Sequence, residues 1–518
     1  MAADQRLLAL RRRERPRVPD GPYLVVGLGQ AGQSAARALA GASGAGQVLA
    51  SDHKPDAVPK RVRRALRELG VRTRLGSPEG LLDLSPVPRT MVRSPGVPLE
   101  ARHVQEAIGR GIEVIDEVEL GWRLVSAPMV AVTGTNGKTT TATLAAAVLS
   151  RSGLDARLAG NADTAPALSA VPGDPELIVC ELSSFQLEAC PALLPEAAIF
   201  TNLSHDHLPR HGTMRRYGEV KQSLFLKDGE AVPLAVVDTT EEFGQGLARA
   251  VERGGGRAVR VGGPGSAYRI REARWDLRSA ELVLDTPDGI LELETRLPGH
   301  FNARNVAAVL ALADSLGVGR REVTDVLTTH PGPEARFEHV DCGQAADVIL
   351  DTGSSPAAVE HFLTAVQAGM DAGGRLRAVL GVLGGADPDQ RREMGSIARR
   401  NCDELLLTAG SFRRNPSLQA LEGLVAGAMA APGAEMTIIP ERAGAIAAAF
   451  RGSAEGDVIA LLGRGNVVET IHGVKVDDRG VLYRLAGAHR AGGSGPEGAD
   501  ETAARELGVK LEQGGVGR

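Results

Sequence analysis

The chain has 518 residues, of which 43% are hydrophobic and 24% charged, and its formal net charge is −5 at pH 7. This length allows three or four domains with sizeable cores, and the charge balance excludes the basic surface typical of nucleic-acid-binding proteins. No apolar run reaches the roughly 18 residues of a membrane helix, and the four cysteines lack the spacing of metal ligands. The composition therefore predicts a cytoplasmic globular protein with neither a nucleic-acid nor a membrane partner.

The first predicted elements form a small Rossmann-like unit, assigned to residues 21–126. A buried strand over Tyr23–Leu28 leads into the glycine turn Gly27-Leu-Gly-Gln-Ala-Gly32 and a helix over 34–40. A second strand ends at Asp52, twenty residues past the last glycine. This spacing is typical of dinucleotide-binding domains. Taken alone it favours NAD or FAD, so a NAD-binding oxidoreductase is one alternative.

A phosphate-binding loop opens the central domain, assigned to residues 127–334. An apolar strand from Met129 is followed by Gly134-Thr-Asn-Gly-Lys-Thr-Thr140 and an Ala/Leu-rich helix. Such a loop directs backbone N–H groups and a helix N-terminus at phosphate. Lys138 can reach a β- or γ-phosphate, and the Thr139 hydroxyl can ligate Mg²⁺. The pattern predicts a P-loop-type domain that binds a nucleoside triphosphate.

Polar residues follow the next two predicted strands. Glu181 ends the strand over 177–180, and the cluster from Asn202 to Gly212, which contains His207, follows the strand over 197–201. A carboxylate at a strand end beside a phosphate loop suits Mg²⁺, which prefers oxygen ligands. We expect Glu181 to serve as a metal ligand.

Four motifs of this region resemble the Mur ligase family, whose members build the peptide of bacterial cell walls. They are Gly-Thr-Asn-Gly-Lys-Thr-Thr at 134–140, Ala-Gly-Asn at 159–161, Glu-Leu-Ser-Ser-Phe-Gln-Leu-Glu at 181–188, and Asn-Leu-Ser-His-Asp-His-Leu-Pro-Arg-His-Gly at 202–212. Their order and spacing are similar to those of the family member that adds D-glutamate. The glycine turn and the Ser-Pro-Gly segment at 94–96 resemble the UDP-sugar pocket of that enzyme.

The resemblance implies a set of site residues. The implied ATP-binding residues are Gly134, Thr135, Asn136, Gly137, Lys138, Thr139, Thr140, Asn302, Asn305, Arg336 and Asp351. The implied residues for the UDP-linked substrate are Gly29, Gln30, Ala31, Asp52, Ser94, Pro95, Gly96, Asn161 and Ser183. The implied catalytic residues are Lys138, Glu181, His207 and Lys221. The implied Mg²⁺ ligands are Thr139, Glu181, His207 and Lys221, the last as a carbamylated lysine.

The C-terminal domain, assigned to residues 335–487, has mixed features. Predicted strands over 378–383, 404–408, 436–440 and 458–462 alternate with helices, which indicates a second Rossmann-like layer. Gly353 stands where the D-glutamate-adding enzyme carries a lysine, and the segment from Asp351 to Pro356 resembles the diamino-acid-adding enzyme instead. Arg413 and Arg464 are the candidate ligands for the carboxylates of the amino acid that the enzyme would add, called the acceptor below. Arginine suits this role because it binds carboxylate bidentately.

The sequence thus predicts an α/β protein of three domains, with disordered segments at 1–20 and 488–518. It is expected to be a monomeric, ATP- and Mg²⁺-dependent ligase that joins D-glutamate to UDP-N-acetylmuramoyl-L-alanine through an acyl phosphate. A diamino-acid-adding ligase that acts on the UDP-muramoyl dipeptide is the alternative within the family. The oxidoreductase and a non-catalytic nucleotide-binding regulator are the alternatives outside it.

Overall fold

The computed structural model describes residues 14–490, apart from 19, 45, 84, 163–164, 384–386, 413–417 and 472–473. The chain divides into two compact units. The first unit contains residues up to 269 with 285–289 and 304–327, and the second contains 270–284, 290–303 and the chain from 328 onward. Within the described residues, no helix is long and apolar enough to cross a membrane.

The first sheet has five parallel strands in the order β3-β2-β1-β4-β5. The strands are β1 Tyr23–Val26, β2 Val48–Asp52, β3 Arg72–Leu75, β4 Thr90–Arg93 and β5 Glu113–Asp116. The helices are Gln30–Ser43, Lys60–Glu68, Arg102–Gly109 and Glu117–Leu124, with a 3₁₀ turn at Pro55–Ala57. Tyr23 and Val25 enter one core and Leu24 and Val26 another. Because both faces of the sheet are covered, its central strand is apolar throughout.

The second sheet also belongs to the first unit and has six parallel strands in the order β13-β12-β9-β6-β8-β7. The strands are β6 Met129–Thr133, β7 Ala156–Gly160, β8 Leu177–Glu181, β9 Ala197–Phe200, β12 Leu234–Asp238 and β13 Arg257–Val261, with a hairpin of β10 Leu226–Lys227 and β11 Glu230–Ala231. The helices are Lys138–Arg151, Ser184–Leu187, Leu208–His211, Met214–Gln222, Glu242–Arg253 and Arg320–Thr329, with a 3₁₀ turn at Leu168–Ala170. Because β6 lies between β8 and β9, the segments that follow these strands meet at one sheet edge.

The third sheet belongs to the second unit, with the order β17-β18-β22-β19-β20-β21. The strands are β17 Glu338–His339, β18 Asp347–Asp351, β19 Leu376–Leu380, β20 Glu404–Leu407, β21 Glu435–Ile438 and β22 Val458–Leu462, with a small sheet of β23 Glu469–Ile471 and β24 Val474–Val476. The helices are Pro356–Gly369, Pro388–Arg400, Gln419–Met429, Arg442–Arg451 and Asp478–Arg490. Only β17 runs antiparallel in this sheet.

A three-stranded sheet of β14 Arg269–Trp275, β15 Ala280–Thr286 and β16 Gly289–Thr295 precedes the helix His300–Ser315. This sheet was not among the predicted elements. Its strands mix exposed with buried or half-buried residues, a weaker signal than the continuous apolar runs of the parallel strands.

The α/β class with parallel sheets is confirmed. The predicted strand over 458–462 has the observed bounds, whereas the predicted strand Tyr23–Leu28 ends at Val26. It ends early because Gly27 adopts φ +87°, outside the range of a strand. The boundaries of the three domains stay a prediction, since the first two sheets share one compact unit.

The expected disorder of residues 1–20 does not hold at Arg15. Its guanidinium donates to the carbonyl oxygens of Trp122 at 2.9 Å and Ala127 at 2.7 Å, and also to that of Val125. It lies 3.4 Å from the buried carboxylate of Glu196. No local pattern predicts these contacts, because the partners named here lie more than a hundred residues along the chain. Residues 1–13 and 491–518 lie outside the described part of the chain.

Candidate active site

The phosphate loop is a tight turn that requires glycine at two positions. Gly134 has φ +154°, and a Cβ atom there would lie 1.9 Å from Thr201 Oγ1. Gly137 has φ +79° at the N-terminus of the helix Lys138–Arg151, and a Cβ atom there would lie 2.4 Å from Asn305 Oδ1. Any side chain would push the loop away from its neighbours, so the glycines hold its backbone close to the sheet.

The segment after β9 holds this loop from the other side. Asn202 accepts the N–H of Thr135 on its carbonyl oxygen and the N–H of Asn136 on its side chain, both at 2.9 Å. Thr201 Oγ1 donates to the carbonyl oxygen of Asn136 at 2.6 Å. Ser204 N–H donates to Thr135 Oγ1 at 3.0 Å. The loop is therefore preorganised by protein contacts, which lowers the cost of ordering it around a phosphate.

Lys138, Thr139 and Glu181 lie together at the carboxyl end of the sheet. Thr139 Oγ1 donates to Glu181 Oε2 at 2.8 Å, and Asn161 Nδ2 donates to Oε1 of the same carboxylate at 2.9 Å. Lys138 Nζ donates to the carbonyl oxygen of Thr135 at 2.7 Å, so its ammonium lies over the loop. The arrangement places one carboxylate, one hydroxyl and one cation beside a helix N-terminus, as binding of a phosphate with a divalent cation requires.

Asn161 is fixed by the backbone as well. Its N–H donates to the carbonyl oxygen of Glu181 at 2.9 Å. A Cβ atom on the preceding Gly160, which has φ +91°, would lie 2.3 Å from that same oxygen. The glycine of the Ala-Gly-Asn motif therefore allows Asn161 to approach Glu181.

Lys221 is the most deeply buried lysine of the site. It is 1% exposed in the helix Met214–Gln222, and its Nζ donates to the carbonyl oxygen of Gly134 at 2.6 Å. The ammonium lies 4.5 Å from the centre of the Tyr217 ring. Desolvation lowers the pKa of Lys221 well below the usual value and the charge of Lys138 adds to this, against the opposing charges of Asp206 and Glu181. The fold thus favours a neutral amine at this position.

His207 has a strained backbone. Its φ of +54° and ψ of +24° are left-handed, which costs free energy for a residue with a β-carbon. The Asp206 carboxylate accepts the His207 N–H at 2.8 Å and faces the ring Nε2 at 3.3 Å. Desolvation lowers the pKa of His207, as do Lys138 and Lys221, while Asp206 opposes the change. The ring is thereby kept neutral, the form in which imidazole binds metals.

No group of three or more His, Cys, Asp or Glu side chains in the described part of the chain is arranged to hold a metal ion. A Mg²⁺ ion that arrives with a nucleotide needs only one or two carboxylates, because phosphates and water supply the rest. The contact between Thr139 and Glu181 matches that donor set. The roles of His207 and Lys221 as metal ligands stay predictions.

The glycine turn of the first sheet and the Ser-Pro-Gly segment are neighbours, and their joint role in binding the UDP-linked substrate stays a prediction. A Cβ atom on Gly27 would lie 2.8 Å from that of Ser94, and one on Gly29 would lie 3.9 Å from Ser94 Oγ. The Asp52 carboxylate accepts the N–H groups of Leu28 at 2.7 Å and Lys54 at 2.9 Å. Asp52 therefore fixes the turn itself. Gln30 and Ala31 begin the helix behind the turn, and Pro95 and Gly96 continue from Ser94.

In the second unit, Asp351 supports the turn that presents Arg336. Its carboxylate accepts the N–H groups of Phe337 at 2.8 Å and Gly353 at 2.7 Å. Ala335 and Phe337, on either side of Arg336, have φ of +52° and +50°. Burial raises the pKa of Asp351, and the charge of Arg336 opposes the rise. The structure thus shows Asp351 holding a strained turn, and its contact with a nucleotide stays a prediction.

The two asparagines predicted to meet the nucleotide are buried. Asn305 Oδ1 accepts the hydroxyl of Thr141 at 3.2 Å and lies beside Gly137, so it adjoins the phosphate loop. Asn302 Nδ2 donates to the carbonyl oxygen of Pro298 at 2.8 Å and supports the start of the helix His300–Ser315.

Arg464 does not present its guanidinium to solvent. It is 1% exposed and donates to the carbonyl oxygen of Gly410. It also donates to the carbonyl oxygen of Val467, at 2.7 Å, and lies 3.5 Å from the carboxylate of Glu469. An acceptor carboxylate would reach Arg464 only after these contacts opened. Arg413, the other candidate, lies outside the described residues.

Sequence reasoning missed a buried ionic cluster beside the site. Glu188 accepts two hydrogen bonds from Arg210, at 2.9 and 2.6 Å, and lies 3.3 Å from Arg93. Arg93 also faces Asp116 at 3.4 Å, and both are fully buried. Glu188 and Arg210 stand within the quoted motifs, but nothing in their spacing indicates that they pair.

His211, next to this cluster, makes stability depend on pH. Burial and the charges of His207, Lys221 and Arg210 together lower the pKa of His211 to about 4, against the opposing charge of Glu188. Because the unfolded chain retains a pKa near 6.5, it binds a proton between pH 6.5 and 4 that the folded chain does not. Stability should therefore fall by about 1 kcal/mol per pH unit as pH falls through this window. Urea unfolding at several pH values should show a shallower pH dependence for His211→Gln than for the wild type. His361→Gln, at an exposed histidine, is the control, and parallel curves for wild type and His211→Gln would contradict the assignment.

Two family models match this chain. The Mur ligase middle domain matches residues 132–313, and the model described as Mur ligase, glutamate ligase domain, matches residues 335–465.

Among curated relatives, a UDP-N-acetylmuramoylalanine–D-glutamate ligase from Microcystis aeruginosa is 32% identical over 335 residues, which cover 63% of this chain and 72% of that protein. A protein of the same name from Rhizobium meliloti is 34% identical, over 61% of this chain and 67% of that protein. A UDP-N-acetylmuramoyl-L-alanyl-D-glutamate–2,6-diaminopimelate ligase from Chromobacterium violaceum is 29% identical, over 67% of this chain and 74% of that protein.

Solved structures share the fold. The UDP-N-acetylmuramate–alanine ligase from Thermotoga maritima has a TM-score of 0.56 at 20% identity, over 86% of this chain and 96% of that one. The UDP-N-acetylmuramoylalanyl-D-glutamyl-2,6-diaminopimelate–D-alanyl-D-alanyl ligase from Acinetobacter baumannii has a TM-score of 0.53 at 15% identity, over 90% and 95%.

Proposed function

The chain belongs to the Mur ligase family of ATP-dependent, ADP-forming acid–amino-acid ligases, and from this premise we propose that it joins D-glutamate to UDP-N-acetylmuramoyl-L-alanine. Membership sets aside the NAD-dependent oxidoreductase that the glycine turn alone favours. The same turn suits any diphosphate, because it offers backbone N–H groups at a helix N-terminus.

The observation that carries the proposal is the hydrogen bond between Thr139 and Glu181 at the phosphate loop. The charge of Glu181 also acts on the nearby Lys221. A carboxylate is a poor acyl donor until its oxygen becomes a good leaving group. A loop that binds the γ-phosphoryl group beside a cation can supply that activation by phosphorylation. Thr139 and Glu181 would hold Mg²⁺, which offsets the negative charge of the phosphates when bound.

In the first step, a carboxylate oxygen of the donor's alanine attacks the γ-phosphorus of ATP. The new O–P bond makes an acyl phosphate, and the bond from phosphorus to the β–γ bridging oxygen breaks, so ADP leaves with that oxygen. Lys138 stabilises the charge on the transferred group, and the backbone of the glycine loop orients it.

In the second step, the amine nitrogen of the acceptor attacks the acyl carbon. The C–N bond forms, the C–O bond to phosphate breaks, inorganic phosphate leaves, and the nitrogen loses a proton. Water must be kept from the acyl phosphate, since hydrolysis would waste it.

The neutral amine of Lys221 supports carbamylation. An uncharged amine can attack CO₂, form an N–C bond and lose a proton, which converts the neutral amine into a carbamate anion. That anion would lie beside Gly134 of the phosphate loop, where it would supply an oxygen ligand.

D-glutamate is the favoured acceptor because two of the relatives bear that activity in their names at 32–34% identity, against 29% for the diaminopimelate-adding relative. The C-terminal region departs from both patterns: Gly353 stands where a lysine is expected, and Lys475 is the only lysine at 335–487. An acidic acceptor brings two carboxylates that need cationic or N–H partners once desolvated. Arginine must supply them, and Arg413 and Arg464 stay the candidates.

A competition assay tests the acceptor. The purified chain receives ATP, Mg²⁺ and UDP-N-acetylmuramoyl-L-alanine with equal concentrations of D-glutamate, L-lysine and meso-diaminopimelate, and the products are identified by mass. We expect the D-glutamyl product alone, at least 100-fold above the others, because a site built for two carboxylates leaves charges unpaired with the wrong amino acid.

A parallel reaction with the UDP-muramoyl dipeptide tests the alternative ligase. Turnover only with the dipeptide, or incorporation of a diamino acid, would show that the C-terminal features are the better guide. Release of no phosphate with any donor and acceptor would favour the non-catalytic regulator. The Lys138→Ala protein, purified identically, controls for contaminating ligase.

A further inference from the structure

The carboxylate of Glu188 joins two arginines from separate parts of the first unit. Arg210 donates to it bidentately, through Nε at 2.9 Å and Nη2 at 2.6 Å. Arg93 Nη1 lies 3.3 Å away. The Glu188 side chain is 6% exposed and that of Arg93 is fully buried. An unpaired charge is costly in this low-dielectric setting, so each buried charge of the group must keep its partner in place.

Both arginines also donate to one loop, through the same nitrogens that face Glu188. Arg93 Nη1 donates to the carbonyl oxygen of Val97 at 2.6 Å, and Arg210 Nη2 donates to the same oxygen at 3.2 Å and to that of Pro95 at 3.5 Å. We call residues 94–97 the donor loop, since they include the predicted contacts Ser94, Pro95 and Gly96. The backbone of this loop is thus held from two sides by guanidinium groups that Glu188 orients.

The same arginines also fix the segment after the strand that ends at Glu181. Arg93 Nη2 donates to the carbonyl oxygen of Phe185 at 2.6 Å, and the Arg210 guanidinium lies 4.9 Å from the centre of the Phe185 ring. Phe185 follows Ser183 in the chain, and Arg210 follows His207. Glu188 therefore joins three segments, each of which carries a candidate residue for the donor substrate or its metal.

We infer that Glu188 is a positioning residue for the UDP-linked donor, which it serves by orienting Arg93 and Arg210 on the donor loop. The inference rests on the proposed function. Removal of its charge leaves Arg210 without its bidentate partner, whereas Arg93 retains Asp116. The donor loop then loses one of its two restraints. Binding of the donor weakens, while the phosphate loop, which Glu188 does not contact in the described structure, still binds ATP.

The test compares Glu188→Gln with Glu119→Gln as a matched control. Glu119 is also a fully buried carboxylate of the first unit, paired with Arg123 at 2.8 Å, and it accepts the N–H of Leu193 at 2.9 Å. Its partners do not include the donor loop. Both variants lose one buried charge, so both should lower Tm. Only Glu188→Gln should raise KM for UDP-N-acetylmuramoyl-L-alanine by at least 10-fold, with KM for ATP changed less than 2-fold.

Arg210→Lys is the second variant, because it keeps the charge but cannot pair bidentately and reach Val97 together. It should raise KM for the donor in the same direction, and it carries the test if Glu188→Gln does not fold. An unchanged donor KM in the folded variants, equal rises for donor and ATP, or the same rise in Glu119→Gln would overturn the inference. Calorimetry with UDP-N-acetylmuramoyl-L-alanine distinguishes failure of the proposed function from failure of this inference. No binding to the wild type would reject the proposed function, whereas binding that Glu188→Gln leaves unweakened would reject only the role of Glu188.

Discussion

Replacement of Lys138 by alanine is expected to abolish product formation. The lysine lies at the phosphate loop, and its ammonium lies 2.7 Å from the carbonyl oxygen of Thr135. In the proposed mechanism, its removal takes away a cation that stabilises the charge on the transferring phosphoryl group. We expect kcat to fall by about 1,000-fold or more, which corresponds to about 4 kcal/mol of transition-state stabilisation. The measurement is phosphate release and product mass under saturating substrates.

The fold should survive this change, because the hydrogen bond from Lys138 to Thr135 lies in a half-buried turn and is worth about 1 kcal/mol. Lys60→Ala, at an exposed helix position, is the matched control and should retain wild-type activity. Lys138→Arg keeps the charge and should retain more activity than Lys138→Ala. Activity of Lys138→Ala within a few-fold of wild type, with unchanged circular dichroism, would reject the role of this lysine.

Replacement of Lys221 by alanine should produce the second large loss. If the carbamate of Lys221 is a metal ligand, its removal should lower kcat by about 100-fold or more, since an anionic ligand is lost beside the phosphates. Short carboxylates such as acetate or formate should restore part of the activity, because they can occupy the space of the missing side chain and supply the same kind of oxygen. Activity is measured against carboxylate concentration.

Lys227→Ala is the matched control for this experiment. Lys227 is another partly buried lysine of the first unit with a pKa lowered mainly by desolvation, and its amine contacts the carbonyl oxygen of Cys190 rather than the phosphate loop. Carboxylates should not raise the activity of that variant. A ¹³C signal from labelled bicarbonate should appear in the wild type and disappear in Lys221→Ala. Full activity of Lys221→Ala, or loss without rescue and without a labelled signal in the wild type, would disprove carbamylation.

Local sequence determined the phosphate-binding end of this protein. Gly134 and Gly137 mark a turn that other residues cannot adopt, and Glu181 is the last residue of an apolar strand. These signals lie within a few residues of one another, because backbone sterics and the chemistry of a helix N-terminus act over that range. The pairing of Thr139 with Glu181 then followed from the adjacency of β6 and β8.

The resemblance did not indicate which side-chain contacts the C-terminal carboxylate makes within the protein. Asp351 stays a predicted ATP-binding residue, and the structure shows that its carboxylate accepts backbone N–H groups of Phe337 and Gly353. Asp52 likewise holds the glycine turn through Leu28. A motif states which residue type occupies a position, but the partners of a carboxylate depend on the backbone that the fold brings around it.

The cluster around Glu188 was decided by tertiary structure alone. Arg93 and Phe185 are 92 residues apart; Arg93 ends a strand of the first sheet, and Phe185 follows a strand of the second. No periodicity or spacing encodes such a contact, because it depends on how the first sheet packs beside the second. Arg464 shows the same limit: it was predicted as a ligand of the acceptor carboxylates, and packing buries it against Gly410 and Val467. The local turns and strand ends of this protein can be derived from its sequence because their causes are local, whereas the pairing of its buried charges requires the complete arrangement of the chain.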